Sequence, residues 1–346
     1  MRPPPARWAL PLLAMLAWSG TALAQGLSGT VRSAEEGPMG GVLVNARAAG
    51  STITVTVVTD AEGRFAFPAG RLPAGPTELS VRAAGWDLAG PEKVELTAAP
   101  VTAALILNPA TEPAMQLSNA EWIASLPGGD ADNHFLQNCT NCHTLKQPLF
   151  SDHDAKEFVE VQLRMASYAQ ASSLLRPQVL LQDRVANQSA AAQAARRKVF
   201  ERQAAYLAQH NLWQKEGFDF RLTPFPRPSG RATRMVVTEY DLPETTRQPH
   251  DVIVTADGMV WYNSFTEQVL GRLDPKTGET REWMVPTLKP DSPKGSLALR
   301  ADRDGNLWMG LSYQGGVARF DPRTETFRMY PLPARLNRDS TQTTEV

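Results

Sequence analysis

The 346-residue chain has two cysteines, three positions apart, with a histidine directly after the second: Cys139-Thr140-Asn141-Cys142-His143. On a helical turn, positions i and i+3 share a face, so both thiols can reach one edge of a flat group while the imidazole swings beneath it. This is the pattern of c-type haem attachment, in which the thiols add across two vinyl groups and the histidine takes the proximal position on iron. Three other chemistries use such a pair. A thioredoxin-type dithiol needs a strand leading into the motif, whereas Asn133 to Asn138 lie in a helical region. A structural zinc site needs four ligands, and no second close pair of Cys or His residues exists. A plain disulfide across two residues would be strained and leaves His143 without a role. The expected cofactor is one covalent haem c on Cys139, Cys142 and His143, cycling a single electron.

A methionine thioether on the far side of the iron would complete such a site. Met165 is the first candidate, because Phe158, Val161, Met165 and Tyr168 fall on one helix face that should look inward. His143 and Met165 are thus the expected iron ligands, although methionine also fills irregular cores readily. His153 is second choice, with Met115 and Met235 behind it at linkers. His134 and His210 read as surface or internally satisfied residues.

The length allows two or three domains. With 35 basic against 36 acidic residues, no cationic excess exists to neutralise a phosphate backbone, so nucleic acid is not an expected partner. Residues 1–24 read as a secretory signal: Arg2 and Arg7 precede an apolar run from Trp8 to Trp18, and Ala22-Leu23-Ala24 forms a cleavage pattern. No later segment is apolar enough to cross a bilayer, which places the mature chain in the periplasm or outside the cell.

Three regions position the candidate residues. Short alternating runs from Gly26 to Asn108, separated by turns such as Asp60-Ala61-Glu62-Gly63, describe an antiparallel sandwich over 25–110. The order Gly29-Thr30-Val31, Gly41-Val42-Leu43-Val44, Gly63-Arg64-Phe65-Ala66-Phe67-Pro68 and Gly85-Trp86 resembles the carboxypeptidase regulatory-like domain, implying a transthyretin-like sandwich without catalysis. After the proline linker Asn108 to Pro113, the pattern turns helical over 115–215, with Ser151-Asp152-His153-Asp154 ahead of one helix and another running to His210. Opening helix, attachment motif and closing helix with Tyr206-Leu207 together resemble a class I cytochrome c domain.

A second proline-rich linker, 223–232, leads into a repeat over 233–346. Asp257-Gly258-Met259-Val260-Trp261 recurs at Asp304 to Trp308, and Arg272-Leu273-Asp274-Pro275 at Arg319 to Pro322, both 47 residues on. That period, rich in short strands and Asp-Gly turns, is the signature of propeller blades. Pro249-His250-Asp251, the Trp261-Tyr262 pair and Gly271 to Pro275 resemble the streptogramin (virginiamycin B) lyase-like propellers. Those lyases carry an acidic residue after the aromatic pair and take a catalytic histidine and metal-binding glutamates from later blades. Asn263-Ser264 stand at the first position here, and two repeats alone would leave open strand edges, so further blades are expected beyond Val346 and lyase activity is doubtful. His250 does not recur, Leu297 standing in its place, which marks it as a candidate substrate contact near the axis.

The combined expectation is a multidomain chain: an all-β transthyretin-like sandwich, an all-α cytochrome c domain, and a partial β-propeller of two blades. Its expected function is periplasmic one-electron transfer with a redox partner such as a dehydrogenase. The alternatives are a lyase-like propeller enzyme with accessory haem, or a module binding carbohydrate or envelope components.

Overall fold

A computed structural model describes residues 26–180, 189–213, 221–338 and 341–346; the expected secretory signal, residues 1–24, lies outside the described residues. The first sheet is ordered β2 (Gly37–Pro38), β1 (Leu27–Ser33), β9 (Val101–Pro109), β7 (Trp86–Gly90), with β5 (Arg64–Ala66) also on β1. The second contains β4 (Ile53–Val58), β3 (Leu43–Ala48), β6 (Gly75–Arg82) and β8 (Lys93–Leu96) in that order. Alternation along β1 and β9 sends Leu27, Val31, Ala103, Leu105 and Leu107 to one face, where they meet Val44, Val55 and Leu79 of the other sheet. Gly29 is needed where β1 and β9 run parallel, since a Cβ there would stand 1.9 Å from the Ala103 carbonyl oxygen.

The second sheet takes one more strand from far along the chain. β10 (Val236–Tyr240) pairs antiparallel with β4, Val236 opposite Val57 and Tyr240 opposite Ile53. Arg47 pairs with Asp241 beyond its end, the Tyr240 hydroxyl donates to the Pro275 carbonyl at 2.9 Å, and Thr52 Oγ1 donates to the Gly278 carbonyl at 3.1 Å. The sandwich is thereby fastened to the repeats.

Among the described residues, six helices lie between: α1 (Asn119–Ser125), α2 (Asp130–Asn133), α3 (Leu136–Cys139), α4 (Lys146–Leu149), α5 (Ala155–Met165) and α6 (Ala190–His210). Ser118 with Glu121 and Asp154 with Glu157 close reciprocal capping boxes at the starts of α1 and α5. Trp122, Leu136, Leu149, Phe158 and Leu207 form the helical core. The basic stretch of α6 is solvated, Arg197 meeting Glu160 at 3.0 Å and Glu201 at 3.6 Å.

The expected all-α cytochrome c domain is corrected here: among the described residues no distinct all-α cytochrome-fold module is present, and the architecture is sandwich and propeller-like with modest helical content. Three of the six helices are single turns of four residues. The helical core also leans on its neighbours, Ala84 of the sandwich and Leu222 packing against it. Arg82 pairs with Glu121 at 3.3 Å, and the amides of Thr223 and Phe225 donate to Ser125 Oγ and Glu121 Oε1 at 2.7 and 2.9 Å.

The repeats form two four-stranded antiparallel sheets: β11 (Pro249–Val254), β12 (Val260–Ser264), β13 (Val269–Leu273), β14 (Thr280–Met284), then β15 (Ser296–Ala301), β16 (Leu307–Leu311), β17 (Gly316–Asp321), β18 (Thr326–Pro331). Their registers match, Trp261 facing Arg272 as Trp308 faces Arg319. Trp261, Leu270, Leu299, Met309 and Phe320 share the core between them. Among the described residues, no helix is long and apolar enough to cross a membrane.

Candidate functional site

The cysteine motif and Met165 meet at one cavity of about 300 Å³. Cys139 ends α3, and Asn141, Cys142 and His143 follow in the turn behind it. Arg164 and Met165 enter from the end of α5. The remaining wall comes from a strap, residues 167–180, folded back on itself: Tyr168 bridges Val179, and the amides of Ala169 and Leu180 donate to the Gln178 and Ser167 carbonyls at 2.7 and 2.8 Å. Tyr168, Ala169, Leu174 and Pro177 of this strap face the cavity.

Burial pushes the Cys139 thiol up to about 11, against a small opposing effect of its own backbone, and burial also raises Cys142. Both are therefore thiols at neutral pH and poor nucleophiles. Alkylation of Cys139 by iodoacetamide is expected to be slow at pH 7 and to climb about tenfold per pH unit until its thiol ionises near pH 11. A rate that levels off by about pH 9 would show an ordinary, exposed thiol instead. His143 is turned by a 3.0 Å contact between Nδ1 and the Thr144 carbonyl, which can only accept, so Nδ1 carries the proton.

These residues do not amount to the expected metal centre. Among the described residues, no three His, Cys, Asp or Glu side chains converge as a ligand set for a metal ion. The readings that depended on one are corrected: haem c as cofactor, iron held by His143 and Met165, and the identity of a periplasmic c-type cytochrome performing electron transfer. Met165 is 41% exposed at the end of its helix rather than turned into the core. The second-choice ligands lie elsewhere. His153 stands edge-on to Phe158 near Asp152 and Glu157, Met115 and Met235 are exposed, and buried His210 packs on the Tyr206 ring.

His250 sits apart from this cavity, on β11. Its Nδ1 lies 3.1 Å from both Asp251 Oδ1 and the Leu297 carbonyl, and the ring tilts against Phe265. Burial opposes ionisation of Asp251, but the Leu299 amide, Arg300 and His250 hold its carboxyl below the ordinary range.

One cluster escaped the sequence reading. Arg247 grips Glu282 through contacts of 2.8 to 3.1 Å and also pairs with Glu267, while Tyr262 donates to Glu282 at 2.8 Å and Thr246 to Glu267 at 2.6 Å. Burial works against the Glu282 charge, yet Arg247 and Tyr262 keep its carboxyl below its usual value. The signal was available in the repeat: Arg247, Tyr262, Glu267 and Glu282 become Lys294, Met309, Gln314 and Met329 in the second copy.

Residues 26–107 match the carboxypeptidase regulatory-like domain, in agreement with the sandwich. No curated protein matches the chain. Among solved structures, virginiamycin B lyase from Staphylococcus aureus is 24% identical over 29% of this chain and 32% of its own, with a TM-score of 0.25. A streptogramin B lyase is 21% identical over the same shares, also at 0.25, and the Bacillus anthracis TIE protein is 15% identical over 25% of this chain and 16% of its own, at 0.20. This chain thus spans about a third of the lyases' length, and likenesses this slight bear on neither activity nor ligand.

Proposed function

We propose that the protein is an exported, non-enzymatic binding protein whose ligand is a small amphiphilic organic anion. The observation behind this reading is the cavity itself, where the turn after Cys139 and the end of α5 bring Cys139, Cys142, His143 and Met165 onto one surface. Protonated thiols, a thioether, Leu174, Pro177 and the Tyr168 ring supply an apolar wall, and a few polar groups orient the guest, the usual make-up of a small-molecule site. Among the described residues no Asp or Glu lines the cavity, while Arg164 does, which favours an acidic group on the ligand. Export rests on the leader-like residues 1–24, and the periplasm or cell exterior is the proposed location. His250 is proposed as a contact for a second, larger partner on the blades. A redox partner drops out, since it depended on the haem.

Titration of the full chain with the aromatic sulfonate anilinonaphthalene sulfonate tests the reading. Saturable fluorescence enhancement is expected, weakened at least tenfold, or by about 1.4 kcal/mol, in Arg164→Glu and in Leu174→Asp. Both side chains are exposed, so folding is spared. Equal titrations for all three proteins would remove the cavity as the site. Native mass spectrometry of protein from its source organism then gives the mass of the natural guest.

A further inference from the structure

The strap forms a cavity wall yet belongs, by its contacts, as much to the blades as to the helices. Ala169 and Ala171 pack on buried Tyr313 in the second repeat. Arg176 reaches Glu267 of the first repeat at 3.3 Å. Gln178 does most: its Oε1 accepts from the Lys294 amide at 2.6 Å, while its Nε2 has the carbonyls of Ala171, Thr266 and Lys294 within 2.5 to 3.1 Å. Its backbone is held too, the amide donating to Ser172 Oγ at 2.9 Å and the carbonyl accepting from that hydroxyl at 3.1 Å.

We propose that Gln178 is the positioning residue of the ligand site, docking the strap on the junction of the two repeats and so closing the cavity over Cys139 and Cys142. Gln178 does not line the cavity itself; it acts through Tyr168, Leu174 and Pro177, whose segment it anchors. A carboxamide suits the task because it donates and accepts at once, satisfying strap and blade backbone groups that would otherwise face each other unpaired. Arg176 adds a second tether, and Glu267 remains held by Arg247 and Thr246 when that tether is cut. Cavity closure is thus coupled to the repeats through one short segment with two anchors, an arrangement in which occupancy of the cavity and docking of the strap favour each other.

This inference rests on the cavity reading but is tested without any ligand. The probe is iodoacetamide, with labelling of Cys139 and Cys142 in the folded full-length chain followed by peptide mass spectrometry and with amide hydrogen exchange measured in parallel. Gln178→Ala is expected to speed alkylation of both cysteines about tenfold and to raise exchange in 168–180, leaving the strands of both repeats protected. Arg176→Gln, at a half-exposed side chain that folding tolerates, is expected to give a smaller change in the same direction, about threefold. Gln178→Glu keeps the acceptor for Lys294 but sets a carboxylate oxygen against the Ala171, Thr266 and Lys294 carbonyls, so it should speed labelling at least as much as Gln178→Ala. Unchanged labelling and unchanged strap exchange in Gln178→Ala would overturn the proposal. If that variant does not fold, an unchanged Arg176→Gln overturns it alone. Loss of sulfonate-dye binding contrasts would instead count against the ligand reading, with the strap's role untouched.

Discussion

Arg247→Ala is expected to lose about 3–5 kcal/mol of folding stability, read as a lower midpoint in urea denaturation. The guanidinium is 9% exposed and lies between two carboxylates, Glu267 and Glu282, which are themselves 6% and 14% exposed. Removing it leaves two like charges facing each other out of water, and Arg176, half in solvent, can offset only part of one. Arg247→Lys keeps the charge but not the two-pronged grip, so its loss should be smaller. The pH dependence has a definite sign. In the parent chain Glu282 is held below its ordinary value of 4.5, so its contribution is present above that pH and is lost as pH falls through the lower folded value. In the alanine variant the carboxyls gain by taking protons, and the deficit against the parent should be widest at neutral pH and narrow on acidification. A loss below about 1 kcal/mol at pH 7 would mean that the cluster is a surface pair in effect.

Trp122→Ala should cost about the same, 3–5 kcal/mol, for an unrelated reason. The indole is fully buried against Phe150, edge to face with ring centres 6.0 Å apart, amid Leu136, Leu149 and Leu207. Deleting it opens a void, and the cost of that void adds to the lost burial of the ring. The indole N–H has no hydrogen-bond partner among the described residues, so Trp122→Phe loses volume alone and should keep more than half of the stability difference. Calorimetric unfolding of the three proteins checks this, and a phenylalanine variant as weak as alanine would argue for an unseen bond to the indole.

The sequence showed most where the pattern was periodic. Alternation in runs such as Val42 to Ala46 and Thr52 to Thr59, with turn clusters between, pointed to a sandwich, and the recurrence of Asp257 to Trp261 at Asp304 to Trp308 pointed to two blades, whose registers the structure shows to match. The helical stretch was less legible. Cys139 through His143 carries a strong local signal, and the structure does bring it beside Met165, but spacing along a chain says nothing about which other donors converge, and no metal-ligating set does among the described residues. The strap was invisible because residues 167–180 have no period; their conformation is set by Gln178 meeting backbone groups at Thr266 and Lys294. Gln178 looks like any surface glutamine until the blades are placed against it. The Arg247 cluster was hidden differently: Glu267 and Glu282 stand 15 positions apart and meet only at one guanidinium, and their departures from the second copy carry more physical consequence than that of His250.

The strand that β10 lends to the sandwich also sets an order of events. Residues 53–57 form the edge of their sheet until residues 236–240 arrive, some 180 positions later. Closing so long a loop is slow relative to local helix formation. The emerging chain therefore spends an interval with β4 unpaired, a template open to any passing strand. Valines alternate with threonines there, the composition that invites mispairing. Escape from aggregation is decided by how quickly the far segment returns, and chaperone demand should fall on that interval rather than on the finished fold.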